Sequence, residues 1–227
     1  MIRKISILQF SSILVFILHS CDMDKMPEGS LGGMEPFTMK DCKRYHIGMY
    51  NTFRTLTTGG FITYSDIQMD DFHAILDYGG SMASFYNGEI TPGLELVEEV
   101  WGGHYITVGE VNYFLLKIDD LLDTGILSTG ERYELQRYAG EAYFARAFSY
   151  FALAQKFCAP YNFENIGKEH GGLPLVTKYN PTDKNSEYPS RSTLEATFKL
   201  IVDDLDRALE NLSAFEEKDG GMSCRLG

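Results

Sequence analysis

The sequence has 227 residues, of which 44% are hydrophobic and 13% aromatic, and its formal net charge is −12. This composition is typical of a globular chain with enough apolar side chains for a sizeable core. An acidic surface repels phosphate backbones and anionic lipid headgroups, which argues against DNA, RNA or such headgroups as partners.

The first 20 residues have the layout of a secretory signal. Arg3 and Lys4 precede a mostly apolar stretch at 5–18, and the small residue Ser20 follows it. This stretch is shorter than the roughly 20 apolar residues that a membrane-spanning helix needs. We predict that residues 1–20 are a removable signal, which leaves a mature chain with 18 basic and 32 acidic residues and a net charge of −14.

Cys21 is the predicted lipidation site. The order Leu18-His19-Ser20-Cys21 resembles a bacterial lipobox, although His19 stands where a small or aliphatic residue is usual. Acyl chains on Cys21 would anchor the protein to a membrane, because each buried methylene contributes about 0.8 kcal/mol. The alternative is an ordinary signal with a cysteine near its cleavage site.

Residues 21–37 are rich in glycine, proline and charge, and they predict a flexible tether. From about Thr38, apolar residues recur at three- and four-residue steps and predict a first helix. The cysteines show neither a disulfide pattern nor metal-binding spacing. We expect Cys42 and Cys158, which fall inside helical patterns, to be small buried side chains.

Residues 57–93 lose the helical period and are predicted to form a long irregular loop. Such loops are usually functional or disordered, and the aromatic content here argues against disorder. Aromatic rings can stack on sugar rings while amides bind hydroxyls, so Tyr78, Tyr86 and Asn87 are candidate glycan contacts. The alternative is that the aromatic residues of this loop only hold it against the domain.

A second helix is predicted over residues 95–122, with Trp101 on its apolar stripe. Trp101 is a further candidate glycan contact, although its place on the stripe favours burial. Gly102 and Gly103 interrupt the stripe and predict a kink or a close contact with another backbone.

Ser128 and Glu131 form a capping box, which predicts the start of a third helix. This helix is apolar nearly all round over 139–157, so it is predicted to be the central packing element. Glu141 and Arg146 lie within it. Each needs a partner that the sequence does not name, because breaking a buried ion pair costs about 3–5 kcal/mol.

Residues 159–191 predict a second long connection, with a short extended piece at 173–177. Ser192 and Glu195 form a second capping box, which predicts the start of a fourth, amphipathic helix. The acidic residues of that helix are assigned to its solvated face: Asp203, Asp204, Asp206 and Glu210.

The sequence contains no hydrolase, zinc-protease, phosphate-binding or dinucleotide-binding motif. Its histidines have no evident cysteine or carboxylate partner at a metal-binding spacing, and each is expected to be structural or solvated. We therefore predict a protein that is not an enzyme and has no catalytic residue, metal or cofactor.

Several motifs occur together in one order. They are the lipobox with CDMDKMP, WGGHYITVGEVNYFLLKID, GEAYFARAFSYFALAQKF, GGLPLVT and SRSTLEATFKLIVDDLDRAL. Together they cover most of the mature chain, and they resemble the SusD/RagB family of surface lipoproteins. The resemblance implies an all-α domain of tetratricopeptide-like helix pairs with long irregular loops.

The resemblance also implies a function. Members of this family are surface-exposed lipoproteins of the outer membrane that capture oligosaccharides for import through a SusC-like TonB-dependent transporter, without chemistry on the ligand. A peptide-binding RagB-like relative, or a helical-repeat adaptor that binds only protein partners, are the alternatives. Because family members are usually much longer, residues 38–227 are expected to be an incomplete N-terminal helical domain. If expressed alone, it should expose an apolar face and bind poorly or aggregate.

Overall fold

The computed structural model describes residues 37–69, 83–181 and 188–213. The chain divides into a unit Met1–Phe37 and a unit Thr38–Gly227, and the description below concerns the second. Cys21, the tether before Phe37 and Tyr78 lie outside the described residues, so the predictions made for them stay predictions.

Helices make up the architecture of the described ranges. In chain order they are α1 (Met39–Thr55), α2 (Gly60–Gln68), α3 (Ala83–Tyr86), α4 (Glu95–Asp123), α5 (Thr129–Phe157) and α6 (Leu194–Leu212). Between α5 and α6, Pro174 and Arg191 form an isolated antiparallel bridge. The predicted all-α fold class is confirmed. None of the described helices is long and apolar enough to cross a membrane.

α5 is the central packing element, as its sequence predicts. It packs most extensively against α6 and then against α4, while α1 packs on α4. The main core cluster joins Val108 of α4, Tyr150 and Leu153 of α5, and Ile201 of α6. Gly140 lets the end of α6 come close, because a Cβ at this position would lie 2.7 Å from Cγ of Leu212.

Two helix starts test the capping predictions. The box at the start of α5 is confirmed, since Glu131 N–H donates to Oγ of Ser128 at 3.3 Å and Ser128 N–H donates to the Glu131 carboxylate at 2.9 Å. The box predicted for α6 is wrong by one residue. Thr193 is the cap, and its hydroxyl accepts from the N–H of Ala196. Ser192 instead shares a hydrogen bond with the hydroxyl of Thr197 at 3.0 Å.

The prediction of a continuous irregular loop over residues 57–93 is wrong, because α2 and α3 lie within it. Ile67 of α2 and Phe85 of α3 are buried against Val100 of α4. Tertiary packing of a few apolar side chains stabilises these short helices. The segments are too short and irregular for a helical pattern to be recognised in the sequence.

Gly103 makes a close contact of a different kind from the one predicted, whereas a Cβ at Gly102 would meet no other described atom within 4 Å. α4 runs without a break from Glu95 to Asp123. A Cβ at Gly103 would lie 2.7 Å from Cζ of Phe61, so the glycine makes room for an aromatic ring of α2 rather than for another backbone. Cys42 is buried as predicted, whereas Cys158 is only partly buried, and both thiols are free.

Candidate binding site

A pocket with a volume of about 1350 Å³ lies among α2, α4 and α5. Its aromatic lining residues are Phe61, Trp101, Phe148, Phe151 and Phe157. Polar side chains also line it, among them Ser65, Glu98, His104, Gln155 and Lys156. A concave site with mostly apolar walls and a few polar groups is the usual form of a ligand site.

Helical spacing explains how the sequence builds two of the pocket walls. Trp101 and His104 lie three residues apart on α4, and Phe148 and Phe151 lie three residues apart on α5. Residues at this spacing share one face of a helix. The lining residues Leu56 and Thr57 follow α1, and Phe61 and Ile62 belong to α2, so a distant part of the sequence completes the pocket.

Trp101 is half-buried at one end of this pocket. Its ring centroid lies 5.0 Å from that of Tyr105 and 4.9 Å from that of Phe157, which meets it edge-on. The guanidinium of Arg191 lies over the indole at 5.9 Å from the ring centroid. These contacts hold the indole in one orientation along the pocket.

Arg191 itself is held by two backbone carbonyls. Its Nε donates to the carbonyl of Gly172 at 2.8 Å, and its Nη2 donates to the carbonyl of Phe157 at 2.7 Å. This side chain therefore ties the connection between α5 and α6 to the end of α5. Sequence analysis missed Arg191, because nothing in its neighbourhood distinguishes it from a solvated arginine of a long connection.

His104 lies at the buried side of the pocket and is 1% exposed. Phe61 meets its ring edge-on with 5.8 Å between centroids, and its Nδ1 has no hydrogen-bond partner among the described residues. Burial lowers the pKa of His104 to about 4, and the charge of Lys156 contributes in the same direction. The imidazole is therefore neutral near pH 7.

Lys156 brings a second basic side chain to the pocket. Its Nζ donates to Oγ of Ser65 at 3.2 Å, which links α5 to α2. Burial lowers the pKa of Lys156, while the charge of Asp66 acts in the opposite direction.

A second cluster, which we call the clamp, joins α4, α5 and α6 through residues that do not line the pocket. It consists of Asn112, Arg146, Asp204 and the segment 173–177. Nε and Nη2 of Arg146 each donate to a different carboxylate oxygen of Asp204 at 2.7 Å, and Nη1 donates to Oδ1 of Asn112 at 2.6 Å. Nδ2 of Asn112 then donates to the carbonyl of Val176 at 2.9 Å.

The clamp overturns the assignment of Asp204 to a solvated face, because this residue is fully buried. It also supplies the missing partner of Arg146. Two tyrosines complete the attachment of the segment. Val176 N–H donates to the hydroxyl of Tyr150 at 2.7 Å, and the hydroxyl of Tyr105 donates to the carbonyl of Pro174 at 2.9 Å. Burial raises the pKa of Tyr150 to about 12, so its hydroxyl stays protonated at neutral pH.

Glu141 finds its partners on α1 and on its own helix. Nε2 of His46 contacts the Glu141 carboxylate, and Nε of Arg137 lies 3.8 Å from it. The His46 ring stacks on Tyr138 with 4.1 Å between centroids. This contact joins α1 to α5 and lies apart from the residues that line the pocket.

Of the candidate glycan contacts predicted from sequence, Trp101 lines the pocket. Tyr86 and Asn87 are exposed at the end of α3 and in the turn after it, and neither is among the lining residues. Within the described ranges, no group of three or more histidine, cysteine or acidic side chains is arranged to hold a metal ion.

Comparison with known proteins identifies the family. A SusD-like family model, described as starch-binding and associating with the outer membrane, matches residues 44–223. The chain therefore belongs to this SusD-like family.

Individual relatives agree with this assignment. A SusD-like protein of Formosa agariphila is 23% identical over 93% of this chain, which spans 38% of that relative. A solved laminarin-binding SusD-like protein superposes with a TM-score of 0.55 at 21% identity, over 76% of this chain and 34% of its own. A SusD superfamily protein of Bacteroides fragilis gives a TM-score of 0.61 at 21% identity, over 81% of this chain and 41% of its own. The fold is therefore that of SusD-like proteins, and the chain spans less than half the length of each relative.

Proposed function

We propose that this protein captures oligosaccharides in the pocket among α2, α4 and α5, at the outer surface of the outer membrane. The ligand then passes, chemically unchanged, to a SusC-like TonB-dependent transporter. The observation that carries this proposal is the pocket itself, with its aromatic walls and few polar groups.

The pocket suits a sugar chain for two physical reasons. Its volume of about 1350 Å³ exceeds the ~300–1,000 Å³ of common small-molecule sites, which leaves room for more than one sugar ring. Aromatic rings such as Phe151, which is 41% exposed, offer flat apolar surfaces to the C–H faces of sugars. Gln155 and Lys156 lie on the same part of α5 and can bind hydroxyl groups.

The family assignment supports the ligand class and the location. The family description names starch binding and association with the outer membrane, and one structural relative is described as laminarin-binding. The proposed anchor is a lipid on Cys21, followed by the tether. Incorporation of labelled fatty acid into the wild-type chain and its loss in Cys21→Ser is the expected result. Labelling that persists in Cys21→Ser would contradict the anchor.

Titration calorimetry of the full chain against a panel of neutral and acidic oligosaccharides tests the capture function. We expect saturable binding that Phe151→Ala weakens by about tenfold, because the variant removes one wall of the pocket. Phe163→Ala is the matched control, because Phe163 is fully exposed and does not line the pocket. An absence of glycan binding, or equal losses in the two variants, would contradict the proposal.

Tyr86→Ala tests the location of the site. If the ligand binds in the pocket, this change alters the affinity by less than about twofold, because Tyr86 is not a lining residue. A loss of binding in Tyr86→Ala with normal binding in Phe151→Ala would place the site at α3, near the predicted contacts Tyr86 and Asn87.

A further experiment tests the proposed transporter partner and the proposal that the oligosaccharide is not cleaved. Co-purification of the full chain with a TonB-dependent transporter of its native outer membrane is the expected result, and the bound oligosaccharide should be recovered at its original length by mass spectrometry. Shortened products, or no transporter in the complex, would contradict this part of the proposal.

A further inference from the structure

The charges that line the pocket differ from those of the whole chain. The chain has 32 acidic and 20 basic residues, and its net charge is −12. The pocket nevertheless contains two basic side chains, Lys156 and Arg191, and one acidic side chain, Glu98, among its lining residues. Because the charge of Asp66 acts on Lys156, Arg191 is the basic side chain that makes this site positive on an otherwise acidic protein.

Among the described residues, the groups in contact with the Arg191 guanidinium are neutral. Within the described ranges no Asp or Glu oxygen lies within 4.0 Å of its guanidinium, and its hydrogen-bond acceptors are the carbonyls of Gly172 and Phe157 and, at 3.8 Å, Sγ of the Cys158 thiol. Nη1 forms no hydrogen bond to the described residues, so two N–H donors remain for a ligand. A partly buried guanidinium with neutral acceptors is well suited to bind an anionic oxygen.

The position of this guanidinium is fixed before any ligand arrives. The two carbonyls hold Nε and Nη2, while the indole of Trp101 lies 5.9 Å below the guanidinium carbon. The bridge between Arg191 and Pro174 connects the same residue to the segment that the clamp holds. A donor that is already ordered loses little conformational entropy when it binds, which favours affinity.

We propose that the captured oligosaccharide is acidic, with a carboxylate or sulfate group that binds Arg191 while the adjoining sugar ring packs beside Trp101. This inference rests on the proposed function and narrows its ligand class. Lys156 is placed to bind a second anionic or hydroxyl group of the same chain, because it lines the same pocket from α5.

Matched pairs of oligosaccharides that differ only in charge test this inference on the full chain. One pair is an oligogalacturonide and its methyl ester, and the other is a sulfated carrageenan oligosaccharide and its desulfated form. We expect the charged member of at least one pair to bind about tenfold or more tightly, and the stronger pair identifies the anionic group. Its affinity should also fall as ionic strength rises.

Arg191→Gln and Arg207→Gln are the matched variants. Arg207 also lies over an aromatic ring, that of Tyr143, at 5.4 Å, but it does not line the pocket. Arg191→Gln should abolish the preference for the charged member, and Arg207→Gln should leave that preference intact. If Arg191→Gln does not fold, the preference and the salt dependence of the wild-type chain still decide the question.

Each outcome has a distinct meaning. Equal binding of charged and neutral members overturns this inference and leaves the capture function standing. Absence of binding to every glycan overturns the capture function as well. A glutamate-rich peptide that binds as tightly as the acidic glycan overturns the assignment to sugars, although Arg191 would still be the anion-binding residue.

Discussion

The clamp and the pocket use polar groups in opposite ways. In the clamp, Arg146, Asn112 and Asp204 are buried and joined to one another and to the backbone of Val176 by hydrogen bonds. At the pocket, and among the residues that the structure describes, the guanidinium of Arg191 has only neutral acceptors and Nδ1 of His104 has no partner. Satisfied networks rigidify a fold, whereas groups left unsatisfied are available to a ligand.

The comparison teaches that one helix serves two purposes. α5 contributes Arg146 to the clamp and Tyr150 to the attachment of its segment 173–177, while Phe151 and Lys156 of the same helix line the pocket. Substitutions on the clamp side should therefore lower the stability of the fold, while substitutions on the pocket side should mainly change binding. The following predictions test that division.

The largest expected effect follows from Asp204→Ala. This change leaves the Arg146 guanidinium buried without its carboxylate, so the free energy of unfolding should fall by about 3–5 kcal/mol in urea denaturation followed by circular dichroism. Asp203→Ala is the control, because Asp203 pairs with Lys199 on an exposed face at 2.7 Å and should contribute less than about 1 kcal/mol. Similar decreases in the free energy of unfolding of the two variants would contradict a stabilising role of the clamp.

Replacing both members of the ion pair by apolar residues distinguishes the effect of an unpaired buried charge from the effect of lost side-chain volume. Because the double change Arg146→Met with Asp204→Leu leaves no unpaired charge, it should recover much of the stability lost in Asp204→Ala. A double variant that is less stable than Asp204→Ala would indicate that the clamp contributes through the attachment of Val176 more than through charge pairing.

The next effect is a pH dependence that originates at His104. An unfolded histidine binds its proton near pH 6.5, whereas the buried imidazole does so only near pH 4, so the unfolded state binds more protons in this window. The His104 contribution to stability is complete above pH 6.5 and is lost as the pH falls through the window. The loss should reach about 2 kcal/mol between pH 7 and pH 5.

His104→Leu provides the comparison for that prediction. Urea unfolding of both proteins should be measured at pH 7 and pH 5. The free energy of unfolding should fall less in the variant than in the wild type, because the other titrating groups are common to both. Identical pH dependences would show that His104 takes up its proton equally in the folded and unfolded states.

A smaller loss is expected for Tyr150→Phe. This change removes the hydroxyl that accepts from Val176 N–H at 2.7 Å, so a backbone donor beneath the clamp loses its partner. The free energy of unfolding should fall by about 1–2 kcal/mol. Tyr161→Phe, on an exposed ring that packs against Phe198, should change it by less than about 0.5 kcal/mol. Equal decreases in the free energy of unfolding for Tyr161→Phe and Tyr150→Phe would contradict a stabilising role of the hydrogen bond between Val176 N–H and Tyr150.

The smallest effect on stability is expected on the pocket side. Phe151→Ala should lower the free energy of unfolding by about 1 kcal/mol, because the ring is 41% exposed. Leu153 lies two residues away and is fully buried in the core. Leu153→Ala should therefore lower the free energy of unfolding by about 2–5 kcal/mol. A Phe151→Ala variant that unfolds as easily as Leu153→Ala would place Phe151 in the core and not in a binding wall.

Local patterns made much of the helical scaffold predictable. The long apolar run of α5 and the Ser128 capping box both belong to single segments of sequence, and the structure confirms them. The α6 cap was misplaced because Ser192 and Thr193 are adjacent cap formers, and only the tertiary contact of Ser192 with Thr197 decides between them.

Asp204 shows what helical spacing could have revealed. It lies three residues after Ile201 and four before Ala208, which are both buried, so it falls on the buried stripe of α6 although acidic neighbours surround it. The pocket was beyond such reasoning. Its walls come from α2, α4, α5 and Arg191, which the chain brings together only through tertiary packing.

Hydrogen–deuterium exchange of the full chain, with and without the oligosaccharide that binds best, tests the central claim most directly. We expect ligand-dependent protection in Gly60–Gln68 and in the first turns of α4, with slow exchange at Val176 in both states because the Tyr150 hydroxyl already holds its N–H. Protection confined to residues 173–177, or none at α2 and α4, would contradict a binding site in the pocket.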